Sequence, residues 1–280
     1  MGTVFMDQQT RRFGRYDVSI LHDGFYEAPI DVLTHTGGPA ARDGAIAAWG
    51  RPTLRIVVNC FLLRGPGGIT LVDAGTGTSW GEAYGHARTA LETLGVTRES
   101  VDRVLITHLH GDHALGLFDG EAPYFPNARI LVPAAELSFF TDADKRASTQ
   151  EDRRGGFAIA ETLLRLYPDR VNAIGTTEDV IPGVTLIPLP GHTHGQSGYL
   201  IDNDGCDLLL WGDAVHLETL QAADPEVGLV FDLEGAVAVT TRRDILERAS
   251  DHGWVVSGGH VEGFKTVRRV GNAFELVPAA

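Results

Sequence analysis

Apolar runs that are typical of buried strands recur along this chain, and several of them end in glycine and polar side chains. The run 101–106 ends in three successive apolar residues just before a dense polar cluster. The runs 54–63 and 69–72 flank the turn segment 65–68, which predicts a β-hairpin. Further strands are predicted at 16–24, 128–132, 179–189, 198–202, 207–211 and 254–257.

Other segments show the spacing of amphipathic helices. In 156–167, apolar residues recur every three or four positions and so share one face. The mixture of strands and helices predicts an α/β fold. No low-complexity linker and no block of like charge divides the chain, so one domain over 1–280 is expected, with residues 1–16 as a loose N-terminal arm. Helices are predicted at 82–95, 133–140, 156–167 and 241–252.

The segment 27–53 is rich in glycine and proline and has little periodicity. It is predicted to be a long loop with one helical turn near 45–49, and long loops in compact domains are often functional. Trp49 is therefore a candidate substrate contact, with a packing role as the alternative. Phe118, Phe139 and Phe140 are further candidates for an apolar pocket wall, with packing in the core as the alternative.

The overall charge limits the class of partner. Lys and Arg number 23 and Asp and Glu number 37, which gives a formal net charge of −14. A surface this acidic repels phosphate backbones and argues against nucleic acid as a partner. No run of 18 apolar residues and no N-terminal apolar segment occurs, so we expect no membrane association and a cytoplasmic location. Cys60 and Cys206 lie in apolar runs and are expected to be buried free thiols.

The polar cluster after the run 101–106 contains four candidate metal ligands within six residues: His108, His110, Asp112 and His113. Imidazole and carboxylate groups at this density predict a metal site.

Three more candidate ligands share the same context. His192, Asp213 and His260 each follow an apolar run and are each introduced by glycine. Because strand ends of a packed α/β sheet converge on one edge, these residues are expected to meet the first cluster in space.

The pattern His-x-His-x-Asp-His at 108–113, followed by His192, Asp213 and His260, resembles the metallo-β-lactamase fold superfamily over essentially the whole chain. The resemblance implies a four-layer αβ/βα sandwich of two mixed sheets with helices outside and a dinuclear metal site at one edge. Stretches that further resemble the methyl parathion hydrolase and quorum-quenching lactonase branch are 59–63, 71–77, 211–216, 225–232 and 274–278.

This resemblance implies a hydrolase with two divalent metal ions, Zn²⁺ first and Mn²⁺, Fe²⁺ or Co²⁺ as alternatives. A hydroxide bridging the metals would attack small neutral esters, namely lactones, aryl esters or phosphotriesters. Members of that branch are often homodimers. The implied ligands are His108, His110 and His192 for one metal, Asp112, His113 and His260 for the other, and Asp213 bridging both.

Asp112 and His216 are the candidate catalytic residues. By resemblance, His216 lies where related lactonases place a tyrosine, and it is either a donor to the substrate oxygen or a structural histidine. Asp73, at a predicted strand end, is either an acceptor for a metal-bound histidine or a carboxylate that caps its turn.

Two segments near the site differ from the usual pattern of the branch. His194 stands where members commonly carry proline, and 261–264 replaces a Pro-Phe-Pro-Gly-like segment beside the pocket. The second departure affects the expected substrate more than metal binding.

Three other enzyme classes share the fold and are alternatives here: a mononuclear iron persulfide dioxygenase, a glyoxalase II-like thioesterase and a β-lactamase. A non-catalytic protein of this fold normally lacks some ligands, and none is missing here.

Overall fold

The computed structural model describes residues 9–176, 179–202 and 207–280, which form two large β-sheets with helices packed on them. The strands are β1 (Thr10–Phe13), β2 (Tyr16–Pro29), β3 (Leu33–His35), β4 (Thr53–Gly65), β5 (Gly68–Val72), β6 (Arg103–Leu105), β7 (Phe118–Asp119), β8 (Ala122–Pro123), β9 (Arg129–Pro133), β10 (Val171–Ile174), β11 (Val184–Pro188), β12 (Ser197–Ile201), β13 (Leu208–Leu210), β14 (Val227–Leu229), β15 (Val255–Ser257), β16 (Lys265–Val270) and β17 (Ala273–Pro278). The helices are α1 (Pro39–Trp49), α2 (His86–Thr93), α3 (Gly111–Ala114), α4 (Ala134–Thr141), α5 (Ala143–Ser148), α6 (Gly155–Leu166), α7 (Glu218–Ala223) and α8 (Gly235–His252).

Both large sheets mix parallel and antiparallel neighbours. The first has the strand order β1-β2-β4-β5-β6-β9-β10. Its four strands β5, β6, β9 and β10 run parallel to one another. The second has the order β11-β12-β13-β15-β16-β17, with one parallel pair between β13 and β15. Parallel neighbours place their carboxyl ends at the same edge of a sheet, and this is where the polar cluster begins.

Two-residue alternation along the strands explains why their sequences are apolar throughout. In β4, Phe61 and Leu63 join the core between the two sheets, whereas Cys60 and Leu62 join the core under the helices. In β13, Leu209 packs on the opposite side from its neighbours, in the core that α8 covers. A strand covered on both faces has no solvent side, so polar residues are excluded from it. The four-layer sandwich expected from the resemblance is confirmed.

The N-terminal arm is not loose from residue 10 onward, which corrects the sequence-based expectation. Thr10–Phe13 form β1 and pair antiparallel with the start of β2, with Phe13 opposite Tyr16. Gly14 has a φ of 53°, the left-handed value that a two-residue hairpin turn requires. Phe13 and Tyr16 are both buried, and their burial holds the hairpin on the sheet. Residues 1–8 lie outside the described part of the chain.

The segment 27–53 is also more ordered than predicted. It contains the end of β2, the short strand β3 and the 11-residue helix α1. Pro39 in the first turn and Gly50 at the C-terminal cap, with a φ of 67°, are ordinary helix boundaries. Gly38 and Gly44 obscured this helix in the sequence because they are poor helix formers.

Two simpler expectations concern the membrane and the cysteines. Within the described ranges, no helix combines the length and the apolar character needed to cross a bilayer. Cys60 is a buried free thiol, as expected. Cys206 lies outside the described residues.

Candidate metal centre

The candidate metal centre begins where β6 ends. The backbone leaves the sheet at Ile106, and His108 and His113 are fully buried within the next turn of chain. Leu109, between the first two histidines, is also fully buried and anchors the segment in the core below α2 and α6. This buried leucine holds the two flanking imidazoles at the edge of the sheet.

The structure brings all seven predicted ligand side chains into one cluster. His108, His110 and His192 form one group whose ligand atoms lie within 4.8 Å of one another. A second group of the same compactness contains the remaining predicted ligands except Asp213, namely Asp112, His113 and His260.

Asp213 stands between the two groups. Its Oδ2 lies 3.6 Å from His108 Nε2 and 3.2 Å from His192 Nε2, both in the first group. Its two oxygens also reach the second group, with Oδ1 3.2 Å from His113 Nε2 and Oδ2 2.9 Å from His260 Nε2. A single carboxylate therefore contacts both sets of imidazoles.

Unpaired polar atoms show that these residues fit a pair of cations. His108 Nε2, His113 Nε2 and Asp213 Oδ1 are buried and have no hydrogen-bond partner among the described residues. An unpaired polar atom in a protein interior costs roughly 1–3 kcal/mol. Imidazole nitrogen and carboxylate oxygen are together the donor set of Zn²⁺ and its neighbours in the first transition row.

The opposite edge of each of three imidazoles is held by a fixed acceptor. His113 Nδ1 lies 2.8 Å from Asp73 Oδ2, and His192 Nδ1 lies 2.9 Å from Asp232 Oδ1. His260 Nδ1 lies 2.6 Å from the carbonyl oxygen of Val57. Such partners fix the ring orientation and tautomer, leaving Nε2 of each ring directed at the centre.

Asp73 serves both of the roles that its sequence context allowed. Its carboxylate accepts hydrogen bonds from the backbone N–H and the hydroxyl of Thr107, each at 2.8 Å, and so fixes the turn that precedes the cluster. The same carboxylate contacts His113. Asp73 has a φ of 60°, a strained backbone conformation for a residue other than glycine. Strain of this kind persists where surrounding contacts over-determine the geometry.

Asp232 and Arg242 were not identified from the sequence as supports of the centre. Arg242 of α8 is completely buried, with its Nη2 3.5 Å from Asp232 Oδ2, and it donates to the carbonyl oxygens of Ala214 and Val227. Arg242 thereby holds the carboxylate that orients His192. Charged residues in a helix usually face solvent, so no local sequence pattern indicates this burial.

Glu136 was also missed. This carboxylate of α4 is fully buried and accepts hydrogen bonds from the backbone N–H of Leu109 at 2.8 Å, the hydroxyl of Thr193 at 2.7 Å and the N–H of Gly195 at 2.9 Å. Leu109 lies between two candidate ligands, and Thr193 directly follows another. Glu136 therefore joins two ligand loops that are distant in sequence.

The imidazoles of the cluster differ in their charge states. Burial lowers the pKa of His110 to about 3 and that of His216 to about 4, so both rings are neutral at neutral pH. Burial opposes protonation of His192 as well, but hydrogen bonds with Asp213 and Asp232 raise its pKa to about 9. Burial likewise opposes ionisation of Asp213, yet His113 and His260 hold the pKa of that carboxyl well below its usual range. A cation would replace the proton that the carboxylates retain on His192.

A cavity of about 440 Å³ opens beside the cluster. His216 and His260 lie on its wall, together with Trp49. His216 is buried, its ring stacks on that of His260 with centroids 4.7 Å apart, and its Nε2 lies 3.2 Å from Asp213 Oδ2. Trp49 lines this cavity and also packs against the core cluster that contains Leu33 and Leu54, so the packing role is confirmed and a substrate contact stays a prediction.

For the other three aromatic residues, the structure confirms the alternative of packing in the core. Phe118 lines a separate cavity of about 340 Å³. Phe139 and Phe140 pack against Phe157 of α6. Their positions on α4 face the helix layer, so these rings contribute to the core and not to the cavity at the metal centre.

Comparisons with known proteins agree with this geometry. The model of the metallo-beta-lactamase superfamily matches residues 54–260. The uncharacterized protein YobT of Bacillus subtilis is 29% identical over 174 residues, which cover 62% of this chain and 69% of that protein. A probable metallo-hydrolase of Mycobacterium tuberculosis is 28% identical over 201 residues, which cover 62% of this chain and 60% of that protein.

Two solved structures are similar along almost their whole length. The hydrolase AbOPH in the beta lactamase superfamily has a TM-score of 0.87 and 23% identity, with 98% of this chain and 97% of that chain covered. The dizinc quorum-quenching lactonase AidC, in complex with the product N-hexanoyl-L-homoserine, has a TM-score of 0.87 and 20% identity, with the same coverage. At these identities the likeness establishes a shared fold.

Proposed function

Because the chain belongs to the metallo-beta-lactamase superfamily, we propose that it is a dinuclear metal-dependent hydrolase. It acts on small neutral esters, with lactones, aryl esters and phosphotriesters as the candidate classes. The observation that carries this proposal is the position of Asp213, whose two oxygens contact imidazoles of both ligand groups. The names of the similar solved structures, a hydrolase and a dizinc lactonase, support the same reaction type.

The proposed ligands form two sets, each of which matches one of the compact groups in the structure. His108, His110 and His192 hold one divalent cation, Asp112, His113 and His260 hold the other, and Asp213 contacts both. Zn²⁺ is the expected metal, with Mn²⁺, Fe²⁺ and Co²⁺ as the alternatives that the same donor set accepts. When bound, two such cations supply activated water near neutral pH and polarise the oxygen of the reacting group.

The protein's own contribution is orientation. Asp73, Asp232 and the Val57 carbonyl oxygen hold the imidazoles from behind, so the ligand atoms are fixed before a metal arrives. Asp112 is proposed to act in catalysis as a metal ligand. Its Oδ2 lies 3.6 Å from Nε2 of His260, a proposed ligand of the same cation. His216 lies on the cavity wall and is proposed to donate a hydrogen bond to the substrate oxygen on which charge develops.

Replacing His216 with phenylalanine is expected to lower kcat roughly a hundredfold, the effect of losing one donor to a developing oxyanion. The bound metal should stay at about two ions per chain. The matched control is His194→Phe, since His194 is also two or three residues from a proposed ligand but is half exposed and stacks on Phe139. Steady-state kinetics and metal analysis on the same preparations check the result. A wild-type kcat for His216→Phe would assign His216 a structural role, and a loss of metal would make it a ligand.

One experiment tests the proposed function directly. Protein of known metal content is assayed against acyl-homoserine lactones of several chain lengths, aryl esters and paraoxon. Hydrolysis of at least one class, proportional to the metal bound and lost on chelation, is the expected result. One iron per chain with oxygen consumption in the presence of a persulfide would overturn the proposal in favour of a dioxygenase. Hydrolysis of glutathione thioesters alone would favour a glyoxalase II-like enzyme.

A further inference from the structure

The cavity at the metal centre has a cationic wall. Arg51 and Arg55, at the start of β4, line it on one side. Its other charged lining residues are Glu27, Glu218 and Glu262. Two arginines at one small cavity are notable in a chain with a net charge of −14, because the general field of this protein repels anions.

Both guanidinium groups lie over aromatic rings. Arg51 Cζ lies 5.2 Å from the centroid of the Trp49 ring, and Arg55 Cζ lies 4.4 Å from that of Phe25. Stacking of this kind restrains the side chain and leaves the N–H groups at the edge of the guanidinium plane available for hydrogen bonds. Within the described ranges, neither guanidinium has a carboxylate oxygen within 4 Å. The cross-strand neighbour of Arg55, Glu27, does not form an ion pair with it.

The acidic residues of the cavity are engaged differently. Glu218 is neutralised by Lys265, with 2.9 Å between Oε2 and Nζ, and its other oxygen accepts the backbone N–H of Glu262. Glu27 and Glu262 are both exposed, and within the described ranges neither carboxylate has an ion-pair partner. Glu27 opposes Arg55 on the neighbouring strand. The arginine side therefore retains unused donors, whereas Glu218 on the acidic side already has its cation.

We propose that this cavity selects substrates that carry a carboxylate remote from the reacting ester bond, with Arg51 and Arg55 binding that carboxylate. The ester bond would then lie toward His216 and His260 at the metal centre. The planar fork of a guanidinium matches the two oxygens of a carboxylate, which gives both affinity and orientation. This inference rests on the proposed hydrolysis of an ester bond. It departs from the neutral substrates that the family resemblance implies, because the ester here carries a remote negative charge.

A pair of matched aryl esters tests the inference. 4-Acetoxybenzoate and its methyl ester have the same reacting acetyl group and differ in the charge of a remote group. For the fully metal-loaded enzyme, the double variant R51Q/R55Q is expected to lower kcat/KM for the anionic ester roughly tenfold, mainly through KM, from loss of charge-assisted hydrogen bonds. The methyl ester should change less than about twofold, since it makes no such bonds.

Two further variants make the test specific to these positions. Glu27→Gln should raise kcat/KM for the anionic ester, because it removes a negative charge from the same wall. Arg248→Gln is the matched control, since Arg248 also stacks on a tryptophan, Trp254, but does not line the cavity. An unchanged preference between the two esters in R51Q/R55Q would overturn the inference.

Failure of the proposed function would look different, because neither ester would then be hydrolysed at any metal loading. Binding distinguishes the two cases. Calorimetry with 4-hydroxybenzoate and 4-hydroxybenzamide should show tighter binding of the carboxylate by the wild type and loss of that difference in R51Q/R55Q. Equal binding differences in both proteins would contradict the inference whether or not hydrolysis is found.

Discussion

Replacing Asp213 with asparagine is expected to abolish ester hydrolysis and to reduce the bound metal below two ions per chain. The asparagine keeps the shape of the side chain but removes the negative charge and one of the two acceptor oxygens that contact imidazoles of both ligand groups. Loss of even an outer partner of a metal ligand costs about 10–100-fold in affinity or activity, so loss of the shared carboxylate should exceed a hundredfold. His113→Ala should act similarly, because it removes a nitrogen of the second group.

The measurement is metal content by elemental analysis together with kcat/KM for whichever ester the wild type hydrolyses. His252→Ala is a suitable control, since His252 ends α8 and its ring stacks on Trp254, away from the cluster. Circular dichroism establishes that the variants fold. Full activity in the double variant H113A/D213N would refute the dinuclear proposal outright.

The clustering of the seven candidate ligands could be predicted from the sequence because they follow apolar, strand-like runs. His192 and His260 are far apart along the chain, yet each comes shortly after such a run, and strands of one packed sheet can end at a common edge. The geometry of the cluster follows from this rule. The arm at residues 10–13 and helix α1 were mispredicted because charged residues or glycines conceal their periodicity.

The supports behind the ligands could not be predicted for a different reason. Asp232, Arg242 and Glu136 are charged residues in or beside helices, where solvent exposure is the ordinary expectation. Their burial follows from packing between elements that are distant in sequence: Glu136 of α4 meets the loop at Gly195, and Arg242 of α8 meets Asp232. No local sequence pattern indicates a contact between residues so far apart in the chain, so only the structure identifies these residues.

Glu136 also provides a test of how far the fold itself prepares the metal centre. Its carboxylate accepts from the N–H groups of Leu109 and Gly195 and from the hydroxyl of Thr193. Leu109 separates His108 from His110, and Thr193 adjoins His192, so all three proposed ligands of one cation depend on this single side chain. The second group, which contains His113 and His260, has no contact with it in the described part of the chain.

Glu136→Ala is therefore expected to weaken the first site selectively. The three donors would lose their shared acceptor in a buried setting, at a cost of about 1–3 kcal/mol for each group left unpaired. Metal affinity at the first site should fall roughly 10–100-fold, the range seen when an outer partner of a metal ligand is removed. Competition of the metal-loaded protein with a chromogenic chelator measures the two affinities as separate steps, and only the step assigned to the first group should shift.

Glu136→Gln is expected to have a smaller effect than Glu136→Ala. Its amide keeps one acceptor oxygen, so with its carbonyl toward Thr193 and Gly195 it retains those two bonds and places its NH₂ group against the N–H of Leu109. The affinity of the first site should then lie between that of the wild type and that of Glu136→Ala. A uniform loss of both metals, in step with a fall in Tm, would instead mean that Glu136 only stabilises the fold. If the glutamine variant keeps its metal affinity at the first site but has a lower Tm, then positioning the ligand loops and stabilising the fold are separate roles of Glu136. In that case, hydrogen bonds without the negative charge are enough to join the ligand loops.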